Sequence, residues 1–182
     1  MGLYVKAGQA EFNTTLEKYG TNDSYHFLAT GKSNAKYDWI FKVRDIYESF
    51  VDVKTSMPFE FKREINEGSF HQKDVVKFDH KNKIAVSNGN NVAIPECTFD
   101  VISIFYAARN LNFSHLEIND KVHFNFFIDN QNYPSYFRYL GRETITTQYG
   151  TFKAIKIAPV TIKGTVFKGD EKLIIWVSDD EN

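Results

Sequence analysis

The chain of 182 residues carries 22 basic and 23 acidic side chains, a net charge of -1, and 16% of it is aromatic. That balance leaves no global field for the polyanionic backbone of nucleic acid or for an anionic membrane, so nucleic acid is set aside as a partner. The length suits one domain, residues 1–182, able to bury a sizeable core without metals or disulfides.

With 17 Phe and 10 Tyr against 4 Pro, the composition points to strands, where aromatic rings pack well on a half-buried pleated surface. The single cysteine, Cys97, excludes an intrachain disulfide and reads as a small buried residue. No apolar run approaches the roughly 20 residues of a membrane-spanning helix, and the N-terminal MGLYVKAGQA lacks an apolar signal core. Leu3 already reads as strand, and KLIIWVSDDEN stops directly after one, so both ends are expected to be cuts.

In chain order, Leu3 to Tyr19 and Tyr25 to Ser33 form a hairpin about Gly20-Thr21-Asn22-Asp23. Ala35 to Val43 reads as a helical turn between strands, and Arg44 to Val51 as extended. Phe59 to Asn66 follows, with Phe59, Phe61, Arg63 and Ile65 on one side if the alternation is regular. Ser69 to Asp79 and Lys83 to Ser87 complete a first meander, which ends in the turn-forming Asn88-Gly89-Asn90-Asn91.

Thr98 to Leu111 is the one long segment with helical spacing. Val101, Ile104, Phe105, Ala108 and Leu111 form one stripe, Thr98 is the expected N-cap, and Asp100 lies in the first turn facing free amides. A second block follows: Val122 to Ile128, Tyr133 to Leu140, Glu143 to Thr147, Phe152 to Ile162 and Leu173 to Val177. The expected fold is therefore mainly β, a curved antiparallel meander sheet or incomplete barrel, with one main helix over about 98–111 packed on it.

Chemistry is sparsely signalled. The five histidines form no zinc pattern, no nucleophile elbow or phosphate loop is present, and Asp129 to Asn132 lacks the glycine and terminal glutamate of a calcium loop. No metal, cofactor or catalytic residue is assigned. A catalytic reading would need Glu48, Arg63, Glu67, His71 and Arg142 to converge with shifted proton affinities. The charge-rich stretches read as ion pairs on a solvated face. Arg63 is the exception to watch: turned inward beside Phe61, it would need a carboxylate or an anionic ligand.

Several strings together resemble one family. They are Lys6-Ala7-Gly8 with Ala10, Asp38-Trp39, Phe41-Lys42-Val43-Arg44-Asp45, Tyr47-Glu48-Ser49, Arg63-Glu64 with Glu67-Gly68, Asp100-Val101, Tyr139-Leu140-Gly141-Arg142-Glu143, Gly150-Thr151-Phe152 and Trp176-Val177-Ser178-Asp179. The chain is similar over nearly its whole length to the bacterial proteins grouped as domain of unknown function 3108, frequent in Bacteroidetes. The resemblance implies an exported precursor, a periplasmic or envelope location and a mostly antiparallel β fold, and it brings no established activity. Against that family's usual extent the chain is expected to lack a leader and a last strand, which would leave Leu173–Val177 as an exposed edge or an intermolecular contact.

The functional expectation is a non-catalytic envelope protein holding an apolar small molecule or partner segment beneath the helix, with Trp39, Phe41, Arg63, Phe105 and Arg142 as ligand-binding candidates. The rivals are a structural or interaction module without a ligand cavity and, third, an enzyme of unknown class. An enclosed cavity would favour the first; an interior filled by side chains would favour the second.

Overall fold

The computed structural model describes residues 6–160 and 173–180. Seven antiparallel strands run in chain order as one meander: β1 (Gly8–Tyr19), β2 (Asn22–Ser33), β3 (Arg44–Asp52), β4 (Pro58–Glu67), β5 (Phe70–Asp79), β6 (Ile84–Ser87) and β7 (Asn90–Ala93). Then come β8 (Thr98–Phe99), α1 (Ser103–Arg109), β9 (Lys121–Ile128), β10 (Gln131–Thr147), β11 (Gly150–Pro159) and β12 (Ile175–Ser178). These five strands make a second sheet in the order β12-β11-β10-β9-β8, antiparallel except where β8 runs parallel to β9. Among the described residues neither sheet closes into a barrel.

The alternating pattern finds its strands, and the differences have local causes. Asn88 and Gly89 alone make the turn after β6, with φ of 49° and 85°, so the chain folds straight back into β7, a strand not expected from the sequence. Tyr133 to Leu140 and Glu143 to Thr147 are one strand, β10, interrupted only by a register shift between Tyr139 and Gly141. Gly141 sits there at φ 104°, a value that side-chain-bearing residues rarely adopt, and it absorbs the bulge. A second shift, between Phe50 and Val51, breaks the alternation opposite Phe59. Phe61 and Arg63 stay in regular register and face inward, whereas Phe59, left unpaired at the shift, stacks on Tyr19 at 5.3 Å.

Register places the inner face of the first sheet in rows of directly opposed residues. Thr14, Phe27, Ser49, Phe61, Val76 and Ser87 form one row; Phe12, Ala29, Tyr47, Arg63 and Asp74 form the next on one side, and Leu16, Tyr25, Val51 and Pro58 the next on the other. Phe61 and Val51 are almost fully buried, and Phe27, Ala29, Val76 and Phe78 join them in one core with Ile102, the residue just before α1. Phe127 of β9 enters the same core, its ring edge-to-face with Phe78 at 5.9 Å. A second core gathers Ala108, Phe113, Phe137, Tyr139, Ile155 and Ile157 under the second sheet.

The helix is shorter than its spacing implies. Thr98 and Phe99 belong to β8, and the N-terminus is capped by Asp100 instead of Thr98. Asp100 Oδ1 accepts from the Ile102 and Ser103 amides at 2.8 and 2.9 Å, while Ser103 Oγ accepts from the Asp100 amide at 3.0 Å, a reciprocal cap. The stripe is also rotated. Ile102 and Tyr106 pack on the first sheet and Ala108 on the second core, whereas Phe105 is 46% exposed and Leu111 is also exposed. A helix wedged between two cores has two apolar faces, so one stripe does not describe it.

Cys97 is exposed, not buried, at φ 53° in the connection to β8. The last strand is Ile175–Ser178, shifted from Leu173–Val177; it lies at the edge of its sheet, paired only with β11 among the described residues. The expected strand Phe152 to Ile162 is seen as far as Pro159, and its final residues lie outside the described part.

Candidate functional site

The hollow of the first sheet is filled where α1 crosses it and open beside it. Tyr106 lies flat on Phe27, the ring centroids 3.5 Å apart and the planes within 3°, and its hydroxyl accepts a hydrogen bond from Thr14 Oγ1 at 3.0 Å. Beyond this contact the sheet runs on past the helix, because β2 and β3 are longer than the seven-residue α1 is able to cover. The result is a groove of about 410 Å³, within the usual 300–1,000 Å³ range of small-molecule sites. Its floor is Tyr25, Phe27, Val51 and Val53, its wall Tyr106 and Ala107, and its rim Arg109, Asn110 and Ser56. Asn110 Nδ2 donates to Ser56 Oγ at 3.0 Å, tying helix to sheet at the mouth.

Apolar surface continues outside the groove. Leu16, directly opposite Tyr25, is 68% exposed, and Phe12, two residues to the other side of Thr14, is 64% exposed. Among the described residues β1 is the outermost strand of its sheet, and α1 is hydrogen-bonded to it through Thr14.

What fixes the helix over this face is a buried polar contact. Asp100 and Ser49 are both fully buried, and Ser49 Oγ donates to Asp100 Oδ2 at 2.7 Å from the central row of the sheet. Ser49 stands between Phe27 and Phe61 in that row, so a small side chain leaves room for the carboxylate. Burial holds the Asp100 carboxyl above its ordinary range, against the downward pull of the Ser103, Ser49 and Ile102 hydrogen bonds.

The five candidate residues are not brought together. Arg63 is 6% exposed and turned inward, where Nε donates to Asp74 and Nη2 to Asp129 of the β9–β10 turn. Two carboxylates answer its charge, and through them it links β4 to β5 and to the β9–β10 turn. Burial raises the Asp74 carboxyl, but hydrogen bonds from Asn88, Arg63 and Gln72 outweigh it and hold the group below its ordinary value. Trp39 and Phe41 stand on the β2–β3 connection, at the opposite end of those strands from the groove. Phe105 faces away from the core on α1.

Arg142 lies at the β10 bulge and donates to Asp179 at 2.9 Å and to the Tyr139 hydroxyl at 3.2 Å. It borders a second, more polar hollow of about 200 Å³ with Asn112, Phe113, Ser178 and Asp180. Arg109 lines both hollows.

The residues of a catalytic reading also separate. Glu48 is beside His26 on the outer face of the first sheet, His71 bonds Asn66 at 2.9 Å, and Arg142 is in the other sheet. Burial and then neighbouring Asp45 raise the Glu67 carboxyl, but no cavity opens on that pair among the hollows described above. Also on the outer face, burial and then the Glu60 hydrogen bond at 3.0 Å push the Tyr19 phenol up to about 12. Among the described residues no three His, Cys, Asp or Glu side chains gather as a metal site.

Sequence reasoning missed the groove residues. Tyr25, Phe27 and Val51 are visible as alternating strand residues, but nothing in the chain says where a short helix ends above them.

An open antiparallel-β protein, with one short helix wedged between two cores and a groove at its flank, is the class that the fold and the site define. The chain belongs to the DUF3108 family, proteins of unknown function, whose family model matches residues 1–182. No curated protein and no solved structure matches it. No helix among the described residues is long and apolar enough to cross a membrane.

Proposed function

We propose that the protein is a non-catalytic, envelope-associated binding protein whose groove between α1 and the first sheet takes an apolar small molecule. The observation that carries this reading is the groove itself: aromatic and aliphatic floor, a wall of Tyr106 and Ala107, and a few polar groups at its edge, Arg109, Asn110, Ser56 and Thr14. A site of that composition gains affinity by removing apolar ligand surface from water, and its few polar groups orient one end of the ligand. The exported, periplasmic setting rests on the family resemblance. Osmotic-shock fractionation of cells producing the native full-length protein tests it, with retention in the spheroplast fraction as the contrary result.

The groove is tested with N-phenyl-1-naphthylamine, an uncharged apolar dye that brightens on leaving water. The protein is expected to bind it saturably, one per chain. Val53→Trp fills the floor and should weaken binding by about tenfold or more while the thermal midpoint holds. Non-saturable binding, or equal binding by the variant, rejects the groove as the site.

A second reading, an interaction module, is favoured by Phe12 and Leu16 on the edge strand β1, which pairs only with β2 among the described residues and so offers a template for strand addition. In that case Phe12→Ser with Leu16→Ser would abolish partner capture from native envelope extracts and leave dye binding unchanged.

A further inference from the structure

The connection between β2 and β3 presents three consecutive large apolar residues to solvent: Trp39 at 82% exposure, Ile40 at 62% and Phe41 at 53%. Exposed apolar clusters on loops are commonly relieved by collapse onto the body of the protein. Here the backbone is held so that collapse does not occur. Asn34 caps a 3-10 turn over Ala35–Tyr37, and the Ile40 and Phe41 amides both donate to the Tyr37 carbonyl, at 2.9 and 3.2 Å.

Below the turn, Asp38 is clamped by Ser33 Oγ at 2.5 Å and by Arg44 Nη2 at 2.6 Å, while Ser33 Oγ accepts from the Val43 amide at 2.9 Å. Arg44 first, and then Ser33, hold the Asp38 carboxyl below its ordinary range. On the far side, Phe41 rests over Gly68 of the β4–β5 turn. A Cβ there would lie 3.0 Å from the Phe41 ring, at a φ of 59° that already disfavours other residues.

Two exposed lysines, Lys36 and Lys42, flank the apolar triplet, and neither forms an ion pair among the described residues. The one acid between them, Asp38, is neutralised by Arg44. The tip is thus a convex apolar wedge with a cationic collar on a chain whose overall charge is only -1. A protein partner would have to offer a pocket shaped to this wedge. A lipid bilayer needs none, because its headgroup region deforms around an inserted side chain, tryptophan prefers that depth, and lysines pair with anionic headgroups.

We propose that Trp39, Ile40 and Phe41 insert into the interfacial region of an anionic lipid membrane, with Lys36 and Lys42 contacting its headgroups. This docks the protein peripherally. Because β2 runs from the groove residue Tyr25 to Ser33 at the base of the tip, the two features lie roughly 26 Å apart, eight residues of extended strand. The tip is therefore an anchor and not the mouth of the groove, and it stands or falls independently of ligand binding.

The test uses the full chain with Trp176→Phe, which leaves Trp39 as the sole tryptophan, and vesicles of phosphatidylethanolamine and phosphatidylglycerol at three to one. Trp39 emission is expected to shift to the blue on adding vesicles and to be quenched by lipids spin-labelled near the headgroup. Ile40→Asp should reduce co-sedimentation by at least about tenfold, and Lys36→Gln with Lys42→Gln by about 30-fold at low salt. All three positions are exposed, so thermal midpoints should be unchanged, and the emission shift reports the wild-type tip even if one variant misfolds. Absence of a shift and of sedimentation, or sedimentation unaffected by both variants, overturns the proposal, whatever protein the tip binds instead.

Discussion

Arg63→Ala is expected to lower stability by about 3–5 kcal/mol, a fall of roughly 10–15 °C in thermal midpoint for a chain of this size. The substitution removes a nearly buried guanidinium and leaves the Asp74 carboxylate, itself 13% exposed, without its ionic partner. It also cuts the side-chain link from the first sheet to the β9–β10 turn through Asp129.

The loss should depend on pH in a defined direction. Asp74 is held below its ordinary value of 3.8, so its contribution is present above that value and disappears as pH falls through the lowered native value. The difference between wild type and Arg63→Ala, read from urea melts, should therefore be full at neutral pH and shrink below about pH 4. A difference constant across that range would mean that the lost packing, and not the ion pair, carries the effect. Arg63→Met with Asp74→Asn leaves no uncompensated charge and should recover much of the loss.

The second large effect concerns Asp100. Asp100→Ala removes the helix cap and strands the Ser49 hydroxyl and two backbone amides in a dry interior, at a cost of about 2–4 kcal/mol, or roughly 5–15 °C. Its proton linkage runs opposite to that of Asp74. Burial raises the native carboxyl above 3.8, so the contribution is fully present below that value and is lost as pH rises through the raised native value.

Asp100→Asn keeps an oxygen for the amides and carries no charge at any pH. It should be less destabilising than alanine, and its deficit against wild type should narrow as pH rises from below 3.8. Circular dichroism melts of the three proteins across pH 3–8 check this. An asparagine deficit that widens toward neutral pH would show that the ionised carboxylate is the favoured buried form.

These two carboxylates also show how much the chain discloses by itself. Asp100 reads from spacing as a first-turn acid, and it does cap the helix. Its partner Ser49 lies 51 residues earlier, in a strand whose pattern marks only alternation. Arg63 reads as a residue whose meaning turns on its direction; alternation puts it on the side of Phe61, but that this side faces the core, and that Asp129 meets it there from 66 residues away, no local pattern announces. For the groove, the aromatic floor is legible as strand residues, while its existence depends on α1 stopping at Arg109 with the sheet continuing past it.

Local chemistry was sufficient for the strand alternation, most turns, the mainly β class, the single helix and the family, because each depends on residues within a few positions of one another. The Trp39-Ile40-Phe41 triplet was visible as apolar, though not as exposed. Only the tertiary structure decided which strand faces point inward, that the helix is wedged between two cores, that Arg63 meets two carboxylates and that the groove stays open. Those outcomes depend on contacts between residues far apart in the chain, where one residue of register reverses a side chain from core to solvent.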